Sequence, residues 1–105
     1  MNPIRFKKVT FNIQLKTGKK KETSGYLFNI DGLDFNFIAH RRIDNESSWV
    51  VSEHLTGTLV SRSYSYYTTR KKAVYETIKR LSEPKLVDKL PELVDKVPHV
   101  NKPIK

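Results

Sequence analysis

The residues best suited to chemistry in this sequence are cations interleaved with tyrosines. Arg62, Tyr64 and Tyr66 are spaced two apart, which places them on one face of a β-strand. The basic run 70–72 follows at the predicted start of a helix. Cations there oppose the helix dipole, whereas a bound phosphate is favoured by the dipole and by the cations. Exposed tyrosines can stack on bases. The alternative is that the tyrosines belong to the core and the basic run is solvated.

A second basic run, 19–21, lies in a predicted turn that opens at Thr17-Gly18. Such a turn is either the tip of a hairpin that enters a nucleic-acid groove or an ordinary soluble turn. The sequence thus offers nine candidate nucleic-acid-binding residues: Lys19, Lys20, Lys21, Arg62, Tyr64, Tyr66, Arg70, Lys71 and Lys72.

Motifs of catalysis are missing from the sequence. It has no glycine-rich phosphate loop, no paired-histidine zinc spacing and no nucleophile elbow, and His40, His54 and His99 are far apart. His40 and His54 have arginines and Glu53 as neighbours, a setting in which a general base can work. A solvated histidine on a strand is the simpler explanation. We therefore expect no enzyme activity, no metal and no cofactor.

The charge is strongly and unevenly positive. Lys and Arg number 20 against 11 Asp and Glu, a net charge of +9. Residues 1–23 carry seven basic and one acidic side chain and residues 68–105 carry ten and five, whereas residues 24–67 carry three and five. Two basic ends therefore flank a nearly neutral, aromatic-rich middle, and such a surface attracts polyanions, above all nucleic acid.

Length and composition predict one small domain in a reducing compartment. A chain of 105 residues has room for a single domain without a large enclosed active site. It has no Cys, which excludes disulfides and fits the cytoplasm. No apolar run approaches the length of a membrane span, and no secretory signal is evident at residues 1–8. We expect a cytoplasmic protein without membrane contact.

Strict alternation of apolar residues predicts an antiparallel sheet of about five strands. Residues 5–16 alternate as a first strand, and residues 25–40 form a hairpin around Asp31-Gly32. Trp49 to Leu55 and Leu59 to Tyr66 form a second hairpin that turns at Thr56-Gly57. One helix follows from about Thr69 to Ser82, capped by Thr68 or Thr69, and its apolar stripe packs on the sheet. The fold class is α+β, with eight residues expected to be buried: Val9, Phe11, Ile13, Phe28, Phe35, Phe37, Val74 and Ile78.

The sequence after residue 83 repeats every seven residues, with proline at 84, 91 and 98. Proline inside a helix costs about 3 kcal/mol, so short helical turns that each start at a proline are favoured over a coiled coil. We therefore expect a domain of residues 1–83 and a tail of residues 84–105 outside the core. The apolar side chains of the tail, which dock either on the domain or on a partner protein, are Leu86, Leu90, Leu93 and Val97.

From Trp49 to Leu81 the sequence carries Trp-Val-Val, then Thr-Gly, a strand, and Thr-Thr-Arg-Lys-Lys-Ala before a helix. This stretch resembles small uncharacterised proteins encoded by phages and mobile elements of Gram-positive bacteria. It is also similar to the sheet-plus-helix DNA-binding domains at the start of some phage-type integrases, which lay strands into the major groove. This resemblance covers about a third of the chain. It implies DNA contacts by Arg62, Tyr64 and Arg70.

The same resemblance implies structural roles for Trp49 and Ala73. Glu53 departs from it, because a DNA-facing strand prefers a cation at that place, and no recombinase catalytic region follows. The resemblance therefore implies a free-standing accessory protein.

Two functions follow from these observations. The first is a small basic protein, encoded by a phage or mobile element, that binds nucleic acid or a nucleoprotein complex without catalysis. The second is a phage-type inhibitor, similar in scale to anti-CRISPR proteins, or an adaptor, which binds a host nucleic-acid-processing enzyme through its C-terminal repeats. The sequence leaves the choice between DNA and RNA open, and also the oligomeric state.

Overall fold

The computed structural model of the chain describes residues 5–14, 17, 19–30, 32–42, 47–61, 67–82 and 88–102. Its four strands are β1 (Lys7–Gln14), β2 (Lys20–Asn29), β3 (Asn36–Arg41) and β4 (Trp49–Glu53), and its helices are α1 (Arg70–Leu81) and α2 (Lys89–Lys96). The strands form one antiparallel sheet in the order β1-β2-β3-β4. The predicted α+β class with an antiparallel sheet is confirmed, and the described part of the chain has one strand fewer and one helix more than expected.

The sheet buries apolar side chains on both faces. Phe28 lies opposite Phe37, and Ala39 opposite Val51, so these residues share the face on which α1 packs. The other face carries a smaller cluster of Phe11, Ile13 and Ile38. Of the eight residues predicted to be buried, five are, and Val9, Phe35 and Ile78 are half-buried at the edge of these clusters.

The two central strands, β2 and β3, approach each other very closely at Gly25. A Cβ atom at this position would lie 2.7 Å from the carbonyl oxygen of Ala39 and 2.7 Å from the Cγ2 of Ile38. Atoms of real proteins do not approach so closely, so only a residue without a side chain fits here. Gly25 thereby allows Ile38 and His40 to lie across the strand on the smaller core face.

α1 begins where the sequence predicts. Thr69 has extended backbone angles and its hydroxyl oxygen accepts a hydrogen bond from the N–H of Lys72 at 3.1 Å, which satisfies one free donor of the first turn. The stripe of Ala73, Val74 and Leu81 is buried against the sheet.

The predicted fifth strand, Leu59 to Tyr66, is not a continuous strand. Bridges join Ser52 to Leu59 and Trp49 to Tyr67, while residues 62–66 lie outside the described residues. The carbonyl oxygen of Val51 accepts from both Val60 and Ser61, and the hydroxyl of Ser61 accepts from the N–H of Val51. A side chain thus replaces one bond of the ladder, and the pairing with β4 becomes irregular. The turn at Gly57, with φ of 67°, is confirmed.

The turn of the predicted hairpin 25–40 is looser than a two-residue turn. Pairing of β2 with β3 stops at Asn29 and Asn36, so residues 30–35 form a loop rather than continuing the two strands. Gly32 takes a φ of 87°, and the N–H of Leu33 donates to the carbonyl oxygen of Ile30 at 3.1 Å. Leu33 and Phe35 nevertheless pack against the main core, which explains their alternating pattern.

The prediction of a tail outside the core is wrong. Pro91 lies in the first turn of α2. Backbone N–H groups in the first turn of a helix have no acceptor within the helix, so the missing N–H of proline costs no hydrogen bond there. Leu90 is 3% exposed and belongs to the main core cluster, and Leu93 packs against it. The repeats of the sequence therefore place apolar side chains on the domain itself. None of the described helices has the length and apolar character needed to span a membrane.

Beyond α2 the chain joins the two outer strands. The side chain of Asn101 accepts from the N–H of Asn12 at 2.7 Å and donates to its carbonyl oxygen at 2.8 Å, so it pairs with the open edge of β1. The same side chain donates to the carbonyl oxygen of His54, and the N–H of Val100 donates to that of Leu55. Residues near the C-terminus therefore link β1 to the turn after β4.

We predict that Gly25→Ala lowers the free energy of unfolding by about 1–3 kcal/mol, because the new methyl group would force β2 and β3 apart. Urea unfolding at constant pH measures the change. Ser24→Ala, at the neighbouring exposed position, is the control and should change stability by less than about 0.5 kcal/mol. Equal stabilities of the two variants would contradict the close contact.

We predict that Leu90→Ala lowers the free energy of unfolding by about 2–5 kcal/mol, as expected for a buried leucine in a core. Removal of residues 84–105 should destabilise the domain further. Lys89→Ala, one residue earlier and exposed, should leave stability almost unchanged. A truncated protein as stable as the full chain would show that α2 does not contribute to the core.

Candidate nucleic-acid interface

Aromatic rings and guanidinium groups alternate on the helix side of the sheet. The guanidinium carbon of Arg70 lies 4.3 Å from the ring centre of Tyr26 and 4.6 Å from that of Phe6. The guanidinium carbon of Arg41 lies 4.4 Å from the ring centre of Trp49, and the rings of Tyr26 and Trp49 are 6.1 Å apart. We call this group the aromatic–cation cluster: Phe6, Tyr26, Arg41, Trp49 and Arg70.

The register of the sheet and the start of α1 assemble the cluster. Arg41 is paired with Trp49 at the end of the β3–β4 ladder, which places both side chains on the face of Tyr26. The N–H of Trp49 donates to the carbonyl oxygen of Tyr67 at 2.7 Å and fixes the start of β4. Because Thr69 caps α1, the first helical residue, Arg70, is held over the sheet.

An open cavity of about 220 Å³ lies beside Tyr26 and Trp49. We call it the Tyr26–Trp49 cavity; its lining residues are Lys8, Ser24, Gly25, Tyr26, Arg41 and Trp49. Lys8 is paired with Tyr26 across β1 and β2 and is exposed. The cavity therefore combines two half-buried aromatic rings with an ammonium and a guanidinium group.

The electrostatic field around the cluster favours anions. Lys71 and Lys72 are exposed in the first turn of α1, which contains no acidic residue, and the helix N-terminus adds a positive partial charge. The ammonium of Lys72 forms an ion pair with the carboxylate of Glu76 at 3.1 Å, and the Lys72 side chain is 57% exposed. Guanidinium groups over aromatic faces retain hydrogen-bond donors for phosphate at their edges. The same surface therefore offers cations to a phosphate and aromatic rings to a base.

The structure unites only part of the candidate set from the sequence. Arg70 lies in the cluster, with Lys71 and Lys72 next to it on α1. The run 19–21 is exposed at the start of β2, about 20 Å along the strand from Tyr26, and is a separate basic surface. Arg62, Tyr64 and Tyr66 lie outside the described residues. Of the four apolar side chains assigned to partner binding, Leu86 lies outside the described residues, and Leu93 and Val97 are half-buried, Leu93 against the main core cluster. Leu90 is buried in that cluster, which corrects its assignment.

Sequence reasoning missed Lys8, Tyr26, Arg41 and Trp49 as site residues. Lys8, Tyr26 and Trp49 fall in predicted strands, and Arg41, predicted to begin a loop, is the last residue of β3. The pattern of a single strand does not reveal which residues of the next strand lie beside it. The usable signal was the single tryptophan of the chain at the start of a strand, with Arg41 at the end of the preceding one.

His40 and Ser52 form a buried base–hydroxyl pair on the opposite face. The Nδ1 of His40 lies 2.9 Å from the carbonyl oxygen of Arg41 and must carry the proton, so its Nε2 accepts from the Ser52 hydroxyl at 2.8 Å. Both residues are at most 3% exposed. The pair is closed to a substrate and satisfies the polar atoms of the core, so the expectation of a solvated histidine is wrong here.

His54 and Glu53 are structural residues of the turn after β4. The carboxylate of Glu53 accepts hydrogen bonds from the N–H groups of Leu55 and Thr56 and from the Thr56 hydroxyl, and it is 1% exposed. The Glu53 carboxylate is therefore buried and satisfied within the turn. His54 is also buried, in the turn and not on a strand; burial lowers its pKa, against the opposing charge of Glu53. Among the described residues, no three metal-ligating side chains converge.

No protein-family model, curated protein or solved structure matches this chain significantly. The resemblance to phage proteins and to integrase DNA-binding domains therefore stays a prediction.

We predict that the protein loses stability as the pH falls through the histidine range. Burial lowers the pKa of His40 below its ordinary value of 6.5, and the hydrogen bond to Arg41 opposes this only in part. The unfolded chain therefore binds more protons than the folded chain below about pH 7, and the free energy of unfolding falls there. His40→Gln should show a smaller fall between about pH 7.5 and 5 in urea unfolding. An unchanged fall would exclude His40 as its source.

Proposed function

We propose that this chain binds nucleic acid, alone or in a nucleoprotein complex, and does so without catalysis through the aromatic–cation cluster and the first turn of α1. The observation that carries the proposal is the stacking of Arg70 on Tyr26 and of Arg41 on Trp49 beside an open cavity. Cations neutralise phosphates and aromatic rings stack on bases, so nucleic acid is the ligand that uses both.

The arrangement of charge supports the same function. The two basic ends of the sequence meet at one ring, because Lys8 of β1 is paired with Tyr26 and Arg70 of α1 lies over it. Segments about 60 residues apart thus contribute to one positive surface. A net charge of +9 adds long-range attraction for a polyanion and accelerates encounter at low salt.

The alternative, an inhibitor or adaptor that holds a host enzyme through the C-terminal repeats, loses its main support. Its motivation was a set of apolar side chains without a place in the core. Leu90 is buried in that core and Leu93 packs against it. No observation in the described part of the chain favours a protein partner over nucleic acid.

We predict that the triple variant R70Q/K71Q/K72Q binds nucleic acid more weakly and with a lower salt dependence. Each lost phosphate contact lowers the slope of log K against log salt by about 0.7–0.9, so three contacts lower it by roughly 2–3. Electrophoretic shift assays with single strands, duplex DNA and RNA at low and moderate salt measure both quantities.

The matched control removes three exposed lysines outside the cluster and the first turn of α1, in the variant K79Q/K89Q/K102Q. It loses the same formal charge but should retain most of the salt slope. Equal weakening of the two triple variants would mean that net charge alone, and not this surface, drives binding. Absence of binding to every nucleic acid at low salt would refute the proposed function.

A further inference from the structure

We infer that the Tyr26–Trp49 cavity receives one unpaired nucleotide, so that the protein selects single-stranded nucleic acid over duplex. This inference rests on the proposed function and specifies its substrate class. Its physical basis is that a base reaches a cavity between side chains only when it is unstacked and unpaired.

The shape of the cavity follows from strands of unequal length. β2 extends to Lys20, whereas β3 ends at Arg41, and the last pair of their ladder is Gly25 with His40. Beyond this pair the N-terminal part of β2 is paired with β1. The step left by β3 opens the cavity at Ser24, which is exposed, beside the backbone of Gly25.

The walls of the cavity match the parts of a nucleotide. The rings of Tyr26 and Trp49 are inclined by 40°, and each carries a guanidinium group over one face. Bases stack on aromatic rings and equally on guanidinium planes. Lys8 and Arg41 both line the cavity, and the exposed ammonium of Lys8 provides donors for the phosphate. Ser24 lines the cavity and is exposed, so its hydroxyl can donate to a sugar or a base edge.

β2 also leads from the cavity to a cation. On the face of Ser24 the strand carries the exposed Glu22 and then, about 14 Å from Ser24, the exposed Lys20. Lys21 is paired with Ile13, which belongs to the smaller core cluster, so Lys21 lies on the opposite face. A single strand that leaves the cavity along β2 therefore meets Lys20 beyond one carboxylate.

The single tryptophan of the chain reports directly on the cavity. We expect oligothymidine or oligouridine of about eight nucleotides to quench Trp49 fluorescence, because a stacked base changes the surroundings of the indole. A duplex of the same length should bind more weakly and quench little. A free nucleoside monophosphate carries the same base and phosphate without a strand. It should quench Trp49 only at a much higher concentration than the oligomers.

Substitutions at the cavity should act on single strands in particular. Tyr26→Ala should weaken oligomer binding by about 5- to 100-fold, the loss expected for one stacked base, and Tyr26→Phe should retain it. Ser24→Ile fills the mouth from an exposed position and should weaken oligomer binding without loss of the fold, which keeps the test valid if Tyr26→Ala unfolds. Asn29→Ala, exposed at the end of β2 away from Lys20 and outside the cavity lining, is the control with unchanged binding.

Duplex binding as tight as single-strand binding, without quenching of Trp49, would overturn the inference and leave the proposed function intact. Equal affinity for a nucleoside monophosphate and the oligomers would also overturn it, since the cavity would then be a nucleotide pocket and not part of a strand path. Failure of every nucleic acid to bind at low salt would instead remove the proposed function. The three results are distinguishable in one set of titrations.

Discussion

The close contact of β2 with β3 at Gly25 determines much of what the remaining structure does. Because no side chain fits between this glycine and the backbone of Ala39, the two strands lie together in one register only. That register pairs Phe28 with Phe37 and Tyr26 with Ala39. A shift by one residue would move the phenylalanines to the opposite face and leave α1 without an apolar surface.

The same register explains how a core and the aromatic–cation cluster coexist on one face of the sheet. Phe28, Phe37 and Val51 lie under the helices, while Tyr26 and Trp49 lie toward the other end of the strands, half-buried and accompanied by arginines. A small domain buries only part of its surface, and large aromatic residues serve both regions. The boundary between core and cluster therefore runs across the strands and not between the two faces.

The sequence predicted the parts of the fold that depend on local pattern. The alternation of β1 and the hydroxyl cap at Thr69 determine structure within a few residues, and both predictions are confirmed. The predictions fail where distant residues decide. Leu90 is buried because the sheet and α1 leave space for it, and the strand after Gly57 is irregular because the Ser61 hydroxyl replaces a ladder bond. For the site, Arg70 was identified from its own neighbours in the chain, whereas Lys8, Tyr26, Arg41 and Trp49 required the register of four strands.

Cations gathered on one small surface repel one another, and the cluster shows how this cost is reduced. The negative faces of the aromatic rings attract guanidinium groups, by about 0.5–1 kcal/mol at an exposed site and more where water is excluded. Arg70 is held in this way between two rings and Arg41 over a third. The side chains are therefore ordered before a ligand arrives, and little rotamer entropy is lost when phosphate binds. The aromatic rings therefore offset part of the repulsion between the cations and stabilise this surface in the absence of a ligand.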